Sequence, residues 1–300
     1  MGTRPDDRSY EIHEVAELTG LAPARLRAWE RRYAVVRPTR QPNRYRAYSP
    51  GQVALLRAFS RLCLNGERIG DLVREPRESV IARAEGLVTN NSPLSVLVDA
   101  VKRLDREGFT RLLEEHGRGL NPVRLGREII LPLGDVIGDL WALGRLNVAA
   151  EHLASEVVVA RLKVELARPT PPGPLLLAAT LPEERHEWGF LVTLLELQAT
   201  GWTVRYLGAD LPLQDVANAA WTLIPPVVAL SSARPANVQA LLPELRRLPR
   251  LLPPGTTIVV GGQGTEGAGS RLRRAGLRVG IDAMPSARPG VRPVEAQQAG

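Results

Sequence analysis

Cysteine is nearly absent from this sequence of 300 residues, because Cys63 is the only one. A single thiol excludes an intrachain disulfide, and it excludes a zinc site built from several thiolates of one chain. Long apolar runs are absent too: none approaches the roughly 18 residues of a membrane-spanning helix, and the polar start MGTRPDDRSY is unlike a signal peptide. We therefore expect a cytoplasmic protein without a membrane partner.

Lysine is scarce as well, since Lys102 and Lys163 are the only two and every other basic side chain is arginine. The net charge is nevertheless +7 and the isoelectric point about 10.2, which favours an acidic partner, with nucleic acid ahead of a membrane. The positive excess is local. Between residues 25 and 61, ten arginines and one acid, Glu30, give a charge of +9. Neutralisation of DNA phosphates requires such clustering.

The first part of the chain has the pattern of a small helical DNA-binding domain. Ile12, Val15 and Leu18 form one apolar face, and Leu26 and Trp29 begin the inner face of a second helix after a glycine turn. This is helix-turn-helix spacing. A proline-interrupted basic hairpin, VRPTRQPNRYRAYSP, and the helix GQVALLRAFSRLCLNG follow. We expect Trp29 in the core, because a single aromatic residue at helical spacing is more often buried than in contact with a base.

Three stretches of this domain resemble the MerR family of winged helix-turn-helix transcription factors: YEIHEVA, LRAWERRY and RPTRQPNRYRAYS. The resemblance implies that the second helix enters the major groove of promoter DNA and that the basic hairpin, the wing, grips the phosphate backbone. One departure lies at the wing turn, where Asn43 and Arg44 replace a frequent glycine pair. The residues expected at the DNA are Arg25, Arg27 and Arg31 on the helix, and Arg40, Arg44, Tyr45, Arg46 and Tyr48 on the wing.

Beyond this domain the pattern changes twice, which predicts a multidomain protein. Apolar residues first recur at helical spacing without intervening strands, as in a four-helix bundle. After the linker PTPPGP, the apolar runs PLLLAAT, TVRYLG, PVVALSSA and TTIVVGGQG alternate with helical patterns, which predicts a Rossmann-like α/β domain with a doubly wound parallel sheet. We expect a disordered lead at 1–9, the winged helix-turn-helix at 10–80, the bundle at 90–168, the Rossmann-like domain at 174–284 and a disordered tail at 285–300.

Histidine occurs four times, and His186 lies in the charged loop PEERHEWGF directly after the first of these apolar runs. The loop resembles the Asp-x-His-x-x-Gly motif of cobalamin-binding Rossmann-like domains, with Glu184 in the aspartate position. The resemblance implies that His186 binds the cobalt ion of cobalamin and that Glu184 fixes its tautomer. Polar and glycine residues at the ends of the third and fourth strands would face the same crevice. The cofactor-binding residues expected here are Glu184, Arg185, His186, Gly189, Ser231, Ser232, Gly261, Gly262 and Gln263.

The predicted bundle contains a second signature. The stretch LWALGRLNVAAEHLAS resembles the Trp-x₉-Glu-His pattern of the CarH and LitR class of light-sensing regulators. This resemblance implies that Trp141 covers the adenosyl group of adenosylcobalamin and that Glu151 hydrogen-bonds it, with Val148 and His152 beside them. The class commonly has a histidine directly after the tryptophan, which captures cobalt once light has cleaved the cobalt–carbon bond. Here that residue is Ala142, which has no ligand atom.

These patterns together predict a regulator and not an enzyme: a cobalamin-dependent, light-responsive repressor that binds double-stranded promoter DNA as an oligomer. In the resembling class the dark, cofactor-bound form is a tetramer, and Arg185 and Asp210 match charged positions near its subunit contacts. Adenosylcobalamin is the expected cofactor, with methylcobalamin as the alternative. Two other interpretations stay open: a DNA-binding regulator that senses another tetrapyrrole or has a vestigial pocket, and a corrinoid-dependent methyl-transfer component.

Overall fold

The computed structural model describes residues 9–40, 45–89 and 93–287. The start of the lead, the wing turn with Arg44 and the end of the tail lie outside the described residues. The chain forms two compact units, residues 1–120 with 127–157 and residues 121–126 with 158–300.

The first unit begins with the predicted helix-turn-helix. The first helix, α1 (Ile12–Thr19), ends at Gly20, whose φ of 67° is a left-handed conformation that glycine adopts without strain. The second helix, α2 (Pro23–Tyr33), follows after a short turn. Two antiparallel strands, β1 (Thr39–Arg40) and β2 (Arg46–Ala47), form the wing.

Three further helices complete this domain: α3 (Pro50–Leu64), α4 (Ile69–Leu72) and α5 (Arg77–Thr89). A capping box begins α3, because the Ser49 side chain accepts a bond from the Gln52 backbone and the Gln52 side chain accepts one from the Ser49 backbone. As predicted, Trp29 lies in the core, where its ring packs edge-on against Phe59. The core of this domain includes Val15, Leu26, Trp29, Tyr48, Leu56, Phe59 and Leu62.

A purely helical region follows. Its helices are α6 (Pro93–Lys102), α7 (Arg106–Gly117), α8 (Pro122–Leu125), α9 (Leu131–Ala142) and α10 (Val148–Leu166). A π-helical turn, Gly126–Ile130, joins α8 directly to α9, so the backbone is helical from 122 to 142.

The second unit contains the alternating strands and helices expected of an α/β domain. Its elements are β3 (Leu175–Thr180), α11 (Trp188–Ala199), β4 (Thr203–Tyr206), α12 (Leu213–Leu223), β5 (Val227–Ser231), α13 (Pro235–Arg247), β6 (Thr257–Gly261), α14 (Gly269–Arg274) and β7 (Arg278–Val279). All residues of β5 are buried, which is typical of a parallel strand with both faces covered by helices.

The five strands form one parallel sheet in the order β4-β3-β5-β6-β7. The chain leaves β3 toward β4 on one side and then crosses to β5 on the other. Loops that leave the carboxyl ends of β3 and β5 therefore diverge, and this switch point is where doubly wound sheets bind ligands. The prediction of a Rossmann-like fold is confirmed, and the loop with His186 lies at the switch point.

Candidate functional site

The His186 loop connects the carboxyl end of β3 to the start of α11. Glu184 in this loop is fully buried, whereas the His186 side chain is 64% exposed. Glu183 has a φ of 61°, a conformation that side-chain-bearing residues rarely adopt. Its backbone N–H donates to Asp210 Oδ1 at 2.6 Å, and the Thr180 hydroxyl donates to the Glu184 carbonyl. The loop is thus fixed by side chains at the ends of β3 and β4.

The Glu184 carboxylate accepts hydrogen bonds from both sides of the switch point. Its Oε1 accepts from the backbone N–H of His186 at 3.0 Å and from the ring Nδ1 of His186 at 2.6 Å. Its Oε2 accepts from the Ser232 hydroxyl at 2.9 Å and from the backbone N–H groups of Ala233 and Arg234 at 2.8 and 3.2 Å. A glutamate in the aspartate position therefore reaches from the β3 loop to the β5 loop.

These hydrogen bonds decide the charge of Glu184. Burial is the largest single influence and raises the pKa of the carboxyl, but the bonds from His186 and Ser232 together outweigh it and lower the pKa from 4.5 to about 2. An ionised carboxylate only accepts, so Nδ1 of His186 must carry the proton. In the neutral imidazole, Nε2 then has the lone pair that a metal ion needs. This donor set fits the lower cobalt ligand of a cobalamin.

Two glycines, one in the first turn of α11 and one at the end of β6, leave open backbone. Neither Gly189 nor Gly261 has any atom within 4 Å of the place where a Cβ would stand, so a ligand can approach their backbone closely. Gly262 is required for another reason: its φ is 85°, and a Cβ there would lie 2.3 Å from the carbonyl oxygen of Ser232. Ser231 and Ser232 are buried, and Gln263 is exposed.

Glu187, directly after His186, ties the loop to α10, a contact that sequence patterns did not predict. Its carboxylate accepts from the Tyr206 hydroxyl at 2.8 Å and forms an ion pair with Lys163 of α10 at 2.8 Å. Burial, and then the bond to Glu187, raise the pKa of Tyr206, so this phenol stays a donor. Phe190 packs edge-on against the Tyr206 ring. The only sequence signal for this cluster was that Glu187 adjoins the predicted cobalt ligand.

The residues expected at the upper face of the cofactor lie in the first unit. Trp141 is the penultimate residue of α9, and Val148, Glu151 and His152 lie in the first turns of α10. Val148 is 49% exposed, and the His152 ring Nδ1 lies 2.6 Å from Glu151 Oε2 with its side chain 72% exposed. These four side chains and the His186 loop are each defined within their own unit.

Helix α9, which carries Trp141, is joined to the helix-turn-helix domain by a partly buried ion cluster. Asp139 Oδ1 accepts from Arg57 Nη1 at 2.7 Å, and Asp139 Oδ2 lies 3.3 Å from Arg61 Nη1. Burial raises the pKa of Asp139 despite these cations, and it lowers the pKa of Arg61. At Gly51 of α3, a Cβ would lie 2.9 Å from the carbonyl oxygen of Ala142. We call Arg57, Arg61 and Asp139 the α3–α9 joint.

The predicted DNA contacts divide into a helix group and a wing group. On α2, Arg25, Arg27 and Arg31 are exposed, and on the wing Arg40 and Tyr45 are exposed. This leaves a basic face with donors available to phosphates and base edges.

Arg46 and Tyr48 have a different place than expected. Arg46 Nε donates to Glu30 at 2.8 Å, and the Tyr48 hydroxyl donates to the same carboxylate. Tyr48 is fully buried, so it holds the wing against α2 and presents no atom for a phosphate contact. Glu30, the single acid of the basic segment, thus links the wing to α2. Arg44 lies outside the described residues.

The interface residues proposed from sequence form a weak pair within the chain. Arg185 Nε lies 3.6 Å from Asp210 Oδ2, and the side chains are 85% and 39% exposed. Asp210 also accepts the Glu183 N–H bond described above, so it has a structural role in the loop. An exposed pair of this kind contributes roughly 0–1 kcal/mol.

Two further properties concern only the residues that the structure describes. No helix among them is long and apolar enough to cross a membrane. Within the same residues, histidines, cysteines and carboxylates form no group of three or more that would hold a metal ion by protein ligands alone.

Comparison with known proteins gives two family matches and two relatives that cover most of the chain. Residues 10–72 match the MerR HTH family regulatory protein family, and residues 94–164 match the B12 binding domain family. The chain is 34% identical to the HTH-type transcriptional repressor CarH of Myxococcus xanthus over 268 residues, which cover 85% of this chain and 89% of that protein. It is equally similar to the repressor CarA of the same organism, at 34% identity over 85% of this chain and 87% of CarA.

Among solved structures, the chain is similar to the monomethylamine corrinoid protein of Methanosarcina barkeri. The match has a TM-score of 0.47 and 15% identity, and it covers 65% of this chain and 92% of that chain. At this distance it carries no argument about function.

Proposed function

The chain belongs to the family of MerR-type transcriptional repressors that includes CarH and CarA, and on this premise we propose that it is a light-responsive repressor controlled by adenosylcobalamin. The predictions of a DNA-binding regulator, of a cobalamin cofactor and of a non-enzymatic role are confirmed by the family matches. The alternative of a methyl-transfer component is not retained, because the relatives that cover most of the chain are repressors.

The observation that carries the cofactor proposal is the bond between Glu184 and His186 at the carboxyl end of β3. His186 would bind cobalt through Nε2, and Glu184 would keep that nitrogen unprotonated. The open backbone at Gly189 and Gly261 would accept the nucleotide tail. Around them, the proposed lining consists of Arg185, Ser231, Ser232, Gly262 and Gln263.

We propose that the upper face is covered by Trp141, Val148, Glu151 and His152. Trp141 would cover the adenosyl group, and Glu151 would accept hydrogen bonds from its hydroxyls. Methylcobalamin would leave these side chains without a partner, so we propose that the adenosyl form is preferred. Bound adenosylcobalamin supplies a cobalt–carbon bond that light cleaves. Ala142 has no ligand atom, so position 142 would supply no second cobalt ligand, and His152 is the alternative.

The α3–α9 joint offers a path from cofactor to DNA. Trp141 lies two residues after Asp139 on α9, and Arg57 and Arg61 belong to the helix that packs beneath the recognition helix α2. We propose that the position of α9 differs between the adenosyl-bound and cofactor-free states and that the joint transmits this difference to the DNA-binding domain. If the same change in the joint alters both the cofactor affinity and the DNA affinity, cofactor binding must change the affinity for DNA.

Assembly is the second route by which the cofactor would act. We propose that the dark, cofactor-bound form is an oligomer and that Arg185, with its largely exposed side chain, contacts a second copy. Replacing Arg185 by alanine removes the charge and leaves Asp210 in place to accept the Glu183 N–H bond. If that variant assembles as the wild type does, Arg185 has no part in the interface.

The proposal is tested by the visible spectrum and gel-filtration profile of the protein with adenosylcobalamin, in the dark and after green light. We expect a bound corrinoid and a larger dark species that becomes smaller on illumination, and we expect His186→Ala to lose the histidine-bound spectrum. Binding without a change of size in light would reduce the function to cofactor sensing. No binding at all would contradict the proposal.

A further inference from the structure

A pocket lined by arginines lies on the second unit, far along the chain from the DNA-binding domain. It has a volume of about 560 Å³ and is lined by six residues, of which four are Arg246, Arg250, Arg271 and Arg274. We call these four the arginine pocket. Arg246 comes from the last turn of α13, Arg250 from the short 3₁₀ turn after it, and the other two from α14.

The surroundings of this pocket have an excess of positive charge. Between residues 246 and 278 there are seven arginines and one acid, Glu266. Arg271 Nη2 donates to the carbonyl of Gly267 at 3.1 Å. The side chains of Arg246, Arg250 and Arg274 form no hydrogen bond or ion pair with any residue that the structure describes. The three are also exposed, so their guanidinium groups are available to a partner.

Helix termini explain part of this pattern but not its convergence. Arginines in the last turn of a helix interact favourably with the helix dipole, and both α13 and α14 have them there. That effect needs one cation per helix and falls off within a turn. It does not explain why two helix ends and the 3₁₀ turn place four arginines around one pocket, where like charges repel each other. Such repulsion is relieved by a ligand with several negative charges.

We infer that the arginine pocket binds the phosphate backbone of duplex DNA beside the segment that the winged helix-turn-helix holds. Guanidinium groups bind phosphate oxygens through paired hydrogen bonds, and a row of backbone phosphates supplies the repeated charge that four arginines require. In the proposed function, DNA is also the polyanion that the first unit of this chain binds. Once that unit is bound, the linked pocket meets flanking phosphates at high effective concentration, so a weak contact adds measurable affinity.

The inference is tested by the salt dependence of binding to random-sequence duplexes of about 15 and about 60 base pairs, because each phosphate contact contributes about 0.9 to the slope of log affinity against log salt. We expect the double variant Arg250→Ala, Arg274→Ala to lower that slope by about 1.8 on the long duplex. We expect no change on the short duplex. The matched control is Arg111→Ala with Arg205→Ala, two exposed arginines elsewhere that remove the same charge and leave both slopes unchanged.

Three outcomes would overturn the inference. In the first, the pocket variant has the same slope as the wild type on the long duplex. In the second, the control variant lowers that slope as much as the pocket variant does. The third is a change in the gel-filtration size of the pocket variant without DNA, which would assign the pocket to a contact between copies. Arg25→Ala with Arg27→Ala provides the independent check of the proposed function, since it weakens binding to both duplexes whatever the pocket does.

Discussion

Two carboxylates, the partly buried Asp139 in the first unit and the fully buried Glu184 in the second, have opposite pKa shifts. Burial raises the pKa of Asp139, although Arg57 and Arg61 lie beside it. Burial acts in the same direction on Glu184, yet its hydrogen bonds lower the pKa to about 2. The Asp139 Oδ2 atom has no hydrogen-bond partner among the described residues, whereas both oxygens of Glu184 accept several bonds.

The difference shows that directed donors stabilise a buried charge better than nearby cations do. Glu184 accepts hydrogen bonds from backbone N–H groups that the fold holds in place. No long side chain has to be ordered to provide these donors. Asp139 relies on two flexible arginines, and it and Arg61 are both destabilised in their charged forms. In the proposed function, Glu184 is therefore the fixed support of His186, and the α3–α9 joint is the part suited to rearrangement.

The largest expected effect is on stability at the α3–α9 joint. Asp139→Ala leaves two partly buried arginines without their acid and should lower the free energy of unfolding by about 1–3 kcal/mol. Replacing all three, as Arg57→Met, Asp139→Leu and Arg61→Met, should restore most of it, because the buried charges are then gone. Urea unfolding followed by circular dichroism measures both. Equal stability of Asp139→Ala and wild type would show that Asp139 does not compensate the charges of the two arginines.

The next effect is on cofactor affinity. Glu184→Gln keeps the size of the side chain but removes the charge that holds the His186 proton on Nδ1. We expect cobalamin affinity to fall by about 10–100-fold, the usual effect of losing such a support. Glu184→Asp, which keeps the charge, is the matched control and should lose less. Titrations followed by visible absorption measure both, and equal affinity of the glutamine variant and wild type would contradict the role of Glu184.

Substitutions at two glycines of this site should distinguish a loss of stability from a loss of cobalamin binding. Gly262→Ala places a Cβ against the Ser232 carbonyl at a positive φ and should cost about 1–3 kcal/mol of stability. Gly189→Ala meets no atom and begins a helix, so it should leave stability unchanged while weakening cobalamin binding. Thermal unfolding and absorption titration on both variants check this. The comparison fails if both variants lose stability equally.

The smallest effect is in the pH dependence of stability, where the two carboxylates should differ in sign. The folded pKa of Glu184 is lowered, so its contribution is present above pH 4.5 and is lost as pH falls toward 2. Between pH 7 and pH 4 the loss should be at most about 1 kcal/mol. The folded pKa of Asp139 is raised, so its contribution decreases as pH rises above 3.8. Unfolding of Glu184→Gln and Asp139→Asn from pH 4 to 7 should therefore change the pH profile in opposite directions.

The sequence predicted the sheet well for a physical reason. Fully buried parallel strands appear as short apolar runs bounded by proline or glycine, and PLLLAAT and PVVALSSA correspond to β3 and β5 within two residues at each end. The His186 loop was found because its motif is local and follows the first of these strands. Glu184 was expected to bond the ring of His186, and it does.

Contacts between distant segments were not predicted. Arg57 and Asp139 are 82 residues apart, and in sequence each looks like a charged position on an amphipathic helix. Tyr48 was expected at the DNA backbone, because a tyrosine in a basic hairpin has the composition of a phosphate contact. Its burial depends on Glu30, which lies on another element. Hydrophobic periodicity shows which face of a helix or strand is buried, but it does not show which residues of other elements contact that face.

The central claim is that a cobalamin held by His186 controls DNA binding, and DNA affinity in defined cofactor states tests it most directly. The measurement is fluorescence anisotropy on a duplex that the protein itself selects from a random library, with and without adenosylcobalamin, in the dark and after green light. The account predicts the tightest binding with cofactor in the dark, a return toward the cofactor-free value after light, and no such difference in His186→Ala. Equal affinity of the wild type in all four states would contradict it.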